Sequence, residues 1–506
     1  MTGNLRTAVG VIGAGAMGSG IAQVALLAGH EVLLLDIDPD AAARAATKIG
    51  TRLTSLVEKG RLDHGGLIEA QARLRVALDY EELADCELAI EAVAEVPTIK
   101  AQVFARLEET VSPECLLATN TSSLSITALG SRLSRPNRFL GLHFFNPAPL
   151  MRLVEIIAGI STSAETLERA ADLMRRWGKE TVRVTCSPGF IVNRVARPFY
   201  GEAMRLLELD IAEPSLIDAL LVDGAGFKMG PCELTDLIGH DVSLAVTRSV
   251  WEASGFDPRY QPSLVQQALV DAGRLGRKTG QGIYDHTIEH ASIPSPARAM
   301  VPPPQHSIQC IGRGPLANFI SSRINCPTSD GADERIELQC GSWVALTDGR
   351  PAYERARQCG YPVILVDRWE PSDSMVRVAV TSSPNCPHKS LDQAIGLLQV
   401  CGLTVHVITD SPGLVVARTV AMLANEAVDL LQRHVAEAAD IDLAMTLGTN
   451  YPRGPLAWCD TWGASYVLAI LDNLFATFHD PRYRASTLLR QAAFEGMPLA
   501  SGRSLT

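Results

Sequence analysis

The first 150 residues alternate between short apolar runs and longer stretches whose apolar positions have helical spacing. A buried strand is predicted at residues 8–12 (AVGVI), followed by a helical run that extends to Ala28, with Gly29 placed to end it. Further strand candidates lie at 32–35, 86–91, 115–118 and 139–142. Short strands that alternate with helical stretches predict a doubly wound α/β fold.

A glycine-rich turn connects the first predicted strand to the first helix. It contains Gly13, Gly15 and Gly18, which allow a sharp turn, a close approach of the backbone to a pyrophosphate, and tight packing of helix on strand. The next strand ends in Asp36, where a carboxylate accepts hydrogen bonds from the adenosine ribose and repels a 2′-phosphate. This arrangement predicts a Rossmann-like domain that binds NAD rather than NADP.

Length and composition narrow the protein class. A chain of 506 residues with 47% hydrophobic residues can bury several cores, so we expect three or four domains. The formal net charge of −11 argues against a broad nucleic-acid surface. The eleven cysteines form no CxxC pair, and no metal site is predicted. Since neither a leader peptide nor a long uninterrupted apolar run is evident, we expect a cytoplasmic protein without membrane contact.

Polar clusters follow two of the strand candidates. Asn120 and Ser122 lie just after the strand at 115–118, while His143 and Asn146 follow the strand at 139–142. Ligands bind at the carboxyl ends of strands in open α/β sheets, so these side chains should lie near the nicotinamide end of a bound cofactor.

A helix start is predicted further along the chain. Ser187 fits the capping position and Pro188 the first helical position, which places Asn193 in the early turns.

Six motifs occur in one order between residues 8 and 285: IGAGAMG, IEAVAE, NTSSL, LHFFNPAPLMRLVEI, SPGFIVNRV and GRKTGQGIYD. Together they resemble the 3-hydroxyacyl-CoA dehydrogenase family. Their common order makes the resemblance much more specific than any single motif. It implies a reversible, NAD-dependent oxidation of the 3-hydroxyl of a 3-hydroxyacyl-CoA to a 3-ketoacyl-CoA.

The resemblance also implies roles for individual residues. His143 would be the catalytic general acid/base, Glu155 its orienting partner, Ser122 a hydroxyl contact to the substrate and Asn193 a polar clamp near the reacting carbon. A histidine suits the base because it titrates near neutral pH. Further cofactor contacts are expected from five residues: Asp36, Glu95, Lys100, Asn120 and Asn146.

Two of the candidate residues have an alternative interpretation. Lys59, in VEKGRL, is a candidate contact for a coenzyme A phosphate, but a solvated surface lysine is equally consistent with the sequence. Ser122 could also serve the turn chemistry of NTSS alone.

The second half of the chain repeats parts of the first. Ser187-Pro188-Gly189 recurs at 411–413, and Glu202 and Pro231 recur as Glu426 and Pro455, each 224 residues later. DPRY also occurs twice, from Asp257 and from Asp480. The helical domain is therefore duplicated.

A shortened, degenerate Rossmann-like remnant is predicted before the second helical domain. Residues 311–317 resemble a broken glycine turn in which Pro315 removes a backbone N–H, and residues 344–348 resemble a second strand with its acidic end, Asp348. The offset of 224 carries the three catalytic positions to Asp367, Ala379 and Ala417. The second copy is therefore predicted to be catalytically silent.

Five segments follow from these patterns: an NAD-binding domain at 1–185, a helical domain at 186–285, a proline-rich linker at 286–308, the remnant at 309–404 and the duplicated helical domain at 405–506. We expect the two helical domains to pair within one chain as a pseudo-dimer, and a higher oligomer of the chain is compatible with this pairing.

The substrate class has alternatives. The leading hypothesis is a short-chain or dicarboxyl thioester, such as 3-hydroxybutyryl-CoA or 3-hydroxyadipyl-CoA. A dehydrogenase of a free hydroxy acid would use the same catalytic residues. An NAD-binding protein without activity is the third possibility, and the intact Ser122, His143, Glu155 and Asn193 argue against it.

Overall fold

A computed structural model describes residues 7–288, 292–331, 333–372 and 375–501. Within these ranges the strands are, in chain order, β1 Ala8–Ile12, β2 Glu31–Leu35, β3 Leu74–Val76, β4 Cys86–Glu91, β5 Leu116–Thr119, β6 Phe139–Phe144, β7 Leu153–Ala158, β8 Glu180–Thr185, β9 Ile308–Ile311, β10 Thr328–Ser329, β11 Arg335–Leu338, β12 Trp343–Leu346, β13 Val363–Val366, β14 Val376–Ser382 and β15 Leu403–Val407.

The α-helices are α1 Ala16–Leu27, α2 Pro39–Glu58, α3 His64–Ala72, α4 Pro97–Thr110, α5 Ile126–Gly130, α6 Ala164–Arg176, α7 Val192–Val195, α8 Arg197–Glu208, α9 Pro214–Ala225, α10 Pro231–Ile238, α11 His240–Ala253, α12 Leu264–Asp271, α13 Pro315–Arg323, α14 Ala352–Cys359, α15 His388–Val400, α16 Val416–Gln432, α17 Ala438–Gly448, α18 Pro455–Trp462, α19 Ala464–Phe478 and α20 Thr487–Glu495.

The first of two compact units comprises the residues up to Arg194 together with Arg433–Thr449. Its sheet has the strand order β3-β2-β1-β4-β5-β6-β7-β8, and neighbouring strands are parallel except for the antiparallel pair β6 and β7. The chain order reverses at β1, which pairs with both β2 and β4. This is the predicted doubly wound α/β fold, and the reversal creates a crevice at the carboxyl ends of the strands.

Local sequence explains the boundaries of the elements around this crevice. Helix α1 ends at Leu27, and Gly29 follows with φ of +96°, a conformation that favours glycine. Helix α2 begins after Asp38, whose side chain accepts a hydrogen bond from the Asp40 N–H. Apolar residues of β1, α1 and α6 meet in one core that includes Val9, Ile21 and Met174.

The outer edge of the first sheet is covered by a segment from the second half of the sequence. Strand β8 lies at the edge, where an unpaired strand would leave N–H groups exposed. The Arg183 N–H donates to Asp440 Oδ2 at 3.0 Å, and the Thr185 N–H donates to the Val435 carbonyl at 2.7 Å. Helix α17 then packs against β7 and β8.

The second unit comprises Val195–Gln432 and Asn450–Thr506, of which residues 289–291, 332, 373–374 and 502–506 lie outside the described part. Its described residues contain helices α8–α16 and α18–α20 and a second sheet with the order β10-β9-β11-β12-β13-β14-β15. The helical domain and the second sheet confirm the predicted fold class. No helix or strand is assigned between 292 and 304, within the predicted linker.

One strand of the second sheet was misidentified from the sequence. Residues 344–348 were expected to match the second strand of the first sheet and its acidic end. Strand β12 instead pairs in parallel with β13, as β5 pairs with β6, so it corresponds to the fifth strand. Asp348 therefore does not stand at a ribose-binding position, and its carboxylate is paired with Arg350.

Backbone conformation repeats with the same spacing as the sequence. Left-handed residues, with positive φ, recur 224 positions apart in both halves of the chain. The pairs are Gly178 and Gly402, Gly189 and Gly413, Phe190 and Leu414, Asp210 and His434, Gly226 and Asn450, Gly239 and Gly463, and Gly255 and His479. Positive φ is uncommon outside glycine, so this agreement supports the duplication independently of residue identity.

The two helical regions contact each other inside the second unit through α8 and α16. Glu202 on α8 binds Arg418 and the hydroxyl of Tyr483, all of them buried. In the reverse direction, Glu426 on α16 accepts a hydrogen bond from Tyr260 and lies 3.5 Å from Arg259. Each half thus supplies a buried carboxylate to partners from the other half.

Among the described residues, no α-helix combines the length and the apolar composition needed to span a bilayer.

Candidate active site

The glycine turn after β1 has the shape that a dinucleotide requires. Gly13 has φ of +104°, and a Cβ there would lie 2.6 Å from the Ala92 carbonyl oxygen. A Cβ on Gly18 would overlap the Gly13 carbonyl, whereas a Cβ on Gly15, at the start of α1, would point into open space. The first and third glycines are needed for packing, and the second leaves a cradle for phosphate at the helix N-terminus.

Asp36 lies beside this cradle. Its Oδ2 accepts the Ala14 N–H at 2.6 Å and its Oδ1 accepts the Asp38 N–H at 3.0 Å, so the carboxylate is fixed at the end of β2. Asp36, Gly13 and Gly15 line a cavity of about 600 Å³ together with apolar side chains. The nearby Arg44 is paired with Asp38 at 3.1 Å. The residues present therefore fit the adenosine half of NAD.

An ion cluster that is buried at Glu91 and Lys100 and exposed at Glu95 organises the loops next to the cavity. Lys100 lies between Glu91 Oε1 at 2.6 Å and Glu95 Oε2 at 3.1 Å, and the Thr119 hydroxyl donates to the other Glu91 oxygen at 2.6 Å. Burial alone would raise the pKa of Glu95, but Lys100 and the hydrogen bonds from Thr121 and Ser122 outweigh it and lower this pKa.

The same carboxylate fixes the loop that carries Ser122. Glu95 Oε1 accepts the backbone N–H groups of Ser122 at 2.9 Å and of Ser123 at 3.2 Å, as well as the Thr121 hydroxyl. Asn120 Oδ1 accepts the Phe144 N–H at 2.9 Å and so ties the end of β5 to β6. In this structure the predicted cofactor residues Glu95, Lys100 and Asn120 position the loops around the crevice.

His143 and Glu155 form a buried pair across the antiparallel strands β6 and β7. The two residues are direct cross-strand neighbours, and His143 Nδ1 lies 2.6 Å from Glu155 Oε2. His143 is 5% exposed and Glu155 is fully buried. The rings of Phe145 and Phe190 lie 4.5 Å and 5.8 Å from the imidazole, centre to centre. Among the described residues, the other ring nitrogen, Nε2, has no hydrogen-bond partner.

Glu155 is itself fixed by the start of α7. Its Oε1 accepts the N–H groups of Ile191 at 3.0 Å and Val192 at 3.1 Å. The predicted cap by Ser187 is wrong, because Gly189 and Phe190 have positive φ and form a turn, so that the helix begins only at Val192. Glu155 takes the capping role from a neighbouring strand, which no local pattern around Ser187 reveals.

The structure brings Asn193 next to Ser122, because its side-chain amide donates to the Ser122 carbonyl at 3.4 Å. Asn146 is exposed in the loop after β6. Lys59 is exposed at the end of α2, and its side chain has no hydrogen bond or ion pair with the described residues. Four of the predicted residues, Ser122, His143, Glu155 and Asn193, thus lie on connected elements of one unit, while Lys59 is not linked to them.

Lys179 is a positioning residue that was not identified from the sequence. Its Nζ donates to the carbonyls of Ala148 at 2.6 Å and Met151 at 2.7 Å, in the loop that follows β6. Burial lowers the pKa of Lys179 to about 8. A single lysine after a glycine at a helix end is an ordinary surface pattern, so the sequence carried no signal for this role.

The second copy holds a different set of groups at the equivalent places. Asp367, which lies opposite Ala379 in the paired strands, accepts the N–H groups of Val415, Val416 and Ala417. Burial raises the pKa of Asp367 to about 6. A carboxylate therefore still caps the following helix, but no imidazole stands beside it.

The glycine turn of the second copy is filled from within the chain. Glu334 Oε1 accepts the Ala317 N–H at 2.7 Å at the start of α13, and a Cβ on Gly314 would lie 2.4 Å from the carboxyl carbon of Glu334. Pro315 has no N–H to offer. The carboxylate thus occupies the position at a helix N-terminus where the first copy leaves open space.

Comparison with known families agrees with the motifs. Residues 8–187 match the NAD-binding domain of the 3-hydroxyacyl-CoA dehydrogenases, and residues 189–286 and 413–504 each match the C-terminal domain of that family. Residues 344–412 match the reduced Rossmann-fold domain of 3-hydroxybutyryl-CoA dehydrogenase.

Known relatives resemble the chain over its whole length or its first half. A 3-hydroxyadipyl-CoA dehydrogenase of Escherichia coli is 44% identical over 490 residues, which cover 97% of this chain and 98% of the relative. A probable 3-hydroxybutyryl-CoA dehydrogenase of Deinococcus radiodurans is 40% identical and covers 55% of this chain and 99% of its own.

Solved structures also resemble the chain over nearly its whole length or over about half of it. The crystal structure of a 3-hydroxybutyryl-CoA dehydrogenase from E. coli has a TM-score of 0.89 and 43% identity, covering 97% of this chain and 98% of its own. A (S)-3-hydroxybutyryl-CoA dehydrogenase from Ralstonia eutropha has a TM-score of 0.54 and 38% identity, covering 55% of this chain and 98% of its own. The matched first domain confirms NAD as the cofactor. The chain therefore belongs to the 3-hydroxyacyl-CoA dehydrogenase family.

Proposed function

We propose that the protein oxidises the 3-hydroxyl of a 3-hydroxyacyl-CoA with NAD, reversibly, and that His143 is the general acid/base. The observation that carries the assignment of His143 is its 2.6 Å contact with a Glu155 that is fully buried and fixed by two backbone N–H groups. A carboxylate held in this way determines which ring nitrogen of the histidine carries the proton.

The chemistry follows from that contact. Glu155 accepts a hydrogen bond from the Nδ1–H of His143, so the ring proton stays on Nδ1 and Nε2 is free to take the proton of the substrate hydroxyl. As the imidazole becomes charged, the Glu155 carboxylate balances it without moving. NAD supplies the acceptor for the hydride that leaves C3. Ser122 and Asn193, linked by a hydrogen bond, are proposed to hold the substrate oxygen in line.

NAD is proposed to lie along the crevice from Asp36 to His143. The turn formed by Gly13, Gly15 and Gly18 would receive the pyrophosphate beside Gly15, and Asp36 would bind the adenosine ribose. Asn146, exposed after β6, would contact the nicotinamide end. The fixed negative charge of Asp36 opposes a 2′-phosphate, so catalytic efficiency with NADP should be far below that with NAD. Comparable efficiencies with the two cofactors would refute this assignment of Asp36.

The substrate is proposed to be a short-chain or dicarboxyl thioester, in keeping with the names of the relatives that match this chain over nearly its full length. Lys59 remains a candidate contact for a coenzyme A phosphate. Initial rates with 3-hydroxybutyryl-CoA, 3-hydroxyadipyl-CoA and the corresponding free acids test the proposal. Higher catalytic efficiency with a thioester is expected, whereas a preference for a free acid would favour a hydroxy acid dehydrogenase instead.

The second copy is proposed to be catalytically silent and structural. Glu334 fills its helix N-terminus, and Asp367 caps a helix without a histidine beside it. The reciprocal pairs Glu202 with Arg418 and Glu426 with Arg259 support an intrachain pseudo-dimer of the helical domains. We also propose that the protein is cytoplasmic. The division of the chain into five segments, with the bounds predicted from the sequence, is likewise part of the proposal.

A further inference from the structure

Helix α17, which belongs to the duplicated half of the sequence, ends against the strand that carries Glu155. A Cβ added to Gly448, the last residue of α17, would lie 2.9 Å from Leu153 Cδ2 and 2.9 Å from Val192 Cγ2. Carbon atoms this close overlap, so only a glycine fits without displacing one of its neighbours.

Both neighbours of Gly448 are connected to Glu155. Val192 donates its backbone N–H to Glu155 Oε1 at 3.1 Å. Leu153 lies two residues before Glu155 on β7, so the two side chains project from the same face of the strand. Val192 is β-branched and has little freedom to rotate within a helix. A side chain at position 448 would therefore displace Leu153 or Val192 and, through them, Glu155, which orients His143.

We infer that the silent half supplies a positioning element to the active site, and that Gly448 is a positioning residue for Glu155. This inference rests on the proposed roles of His143 and Glu155. It gives the duplicated half a catalytic contribution in addition to its scaffold role. Helix α17 is held in place by the bonds from Arg183 to Asp440 and from Thr185 to Val435 at the edge of the sheet.

The chain contains a matched control at Gly224, which lies 224 residues before Gly448. A Cβ on Gly224 would lie 2.8 Å from the Arg377 carbonyl oxygen and 3.5 Å from Val416 Cγ2. Arg377 and Val416 are in turn the counterparts of Leu153 and Val192 at the same spacing. A tight fit therefore also exists at the equivalent place in the silent copy, there against a backbone carbonyl, and no catalytic histidine depends on it.

The experiment compares Gly448→Ala with Gly224→Ala in the full-length chain. Both glycines are helical with negative φ, so alanine adds no backbone strain of its own. Unfolding midpoints are expected to fall in both variants. Only Gly448→Ala should lower kcat, by about tenfold, because small misplacements of a catalytic group reduce rate steeply. The acid limb of its kcat–pH profile should also move, while KM for NAD stays unchanged.

A compensating substitution separates positioning from general damage. Val192→Ala removes the methyl groups that the new Cβ would meet, so the double variant Gly448→Ala/Val192→Ala should regain part of the lost kcat. The inference is overturned if the two single variants have equal kcat and unchanged pH profiles. Because the test compares variants of one active enzyme, that outcome would leave the assignment of His143 intact, whereas full activity in His143→Ala would refute the base assignment on which the inference rests.

Discussion

Replacing Glu155 by glutamine tests how the catalytic histidine is held in its active form. The carboxylate accepts three hydrogen bonds, two from backbone N–H groups of Ile191 and Val192 and one from His143 Nδ1. An amide has only one oxygen. If that oxygen stays with the two backbone donors, the amide NH₂ faces Nδ1, which must then become an acceptor.

The opposite orientation of the glutamine is less favourable. Turning the amide oxygen toward His143 would place the NH₂ against two buried N–H groups, and each buried donor left without a partner costs about 1–3 kcal/mol. The first orientation therefore prevails. It transfers the ring proton to Nε2, the nitrogen that has to accept the substrate proton.

The expected loss of kcat is about 10⁴-fold, the scale observed when a buried carboxylate is replaced by an amide in a histidine-based triad. That factor corresponds to about 5.4 kcal/mol of transition-state stabilisation. Initial rates of NADH formation at saturating thioester give kcat, and calorimetric titration shows that NAD binding is retained. A Glu155→Gln variant whose kcat lies within tenfold of the unmodified protein would refute the tautomer argument.

Asp367→Asn serves as the matched control, because Asp367 caps the equivalent helix in the second copy. It should lower the unfolding midpoint and leave kcat unchanged. Equal losses of kcat in both variants would indicate damage to the fold rather than to the base.

Three further expectations follow from the second unit. Calorimetric titration should give one NAD site per chain, because Glu334 fills the second glycine turn, and two comparable sites would contradict this. Burial, reinforced by the charge of Arg377, lowers the pKa of His406 to about 4, so the unfolded chain binds a proton between pH 6.5 and 4 that the folded chain excludes. The unfolding midpoint should therefore fall as the pH is lowered from 6.5 to 4, and His406→Gln should make this fall smaller. Equal pH dependence of the midpoint in the two proteins would refute the role of His406. Truncation after about residue 290 should leave Glu202 and Arg259 without their buried partners and cause dimerisation, aggregation or loss of activity, whereas light scattering from a stable, active monomer would contradict the pseudo-dimer.

The sequence predicted the first sheet and its crevice because local rules govern both. The spacing of Gly13, Gly15 and Gly18 reflects close contacts within one turn. The position of Asp36 is set by the lengths of α1 and β2, which lie between that turn and Asp36. His143 lies near the end of β6, a strand that was recognised from its apolar run. The contact between His143 and Glu155, in contrast, depends on the antiparallel pairing of β6 and β7, and only the family resemblance predicted that contact.

The features that sequence reasoning missed all depend on partners that are distant in the chain. Ser187 had the composition of a helix cap, but a carboxylate on β7 took that role. Strand β12 was assigned by its acidic end, while its true place was decided by pairing with β13. Nothing near Gly448 indicates that α17 packs on a sheet more than 250 residues earlier. Long-range pairing leaves no periodicity that a local window can detect.

The most direct test of the central claim is the rate of NADH formation by His143→Ala with a 3-hydroxyacyl-CoA thioester that the unmodified protein oxidises. Because Nε2 is proposed to take the substrate proton, kcat should fall by about two to four powers of ten, the usual contribution of a positioned general base, while NAD affinity stays unchanged. A folded His143→Ala protein that binds NAD and turns over the thioester at nearly the original rate would contradict the account.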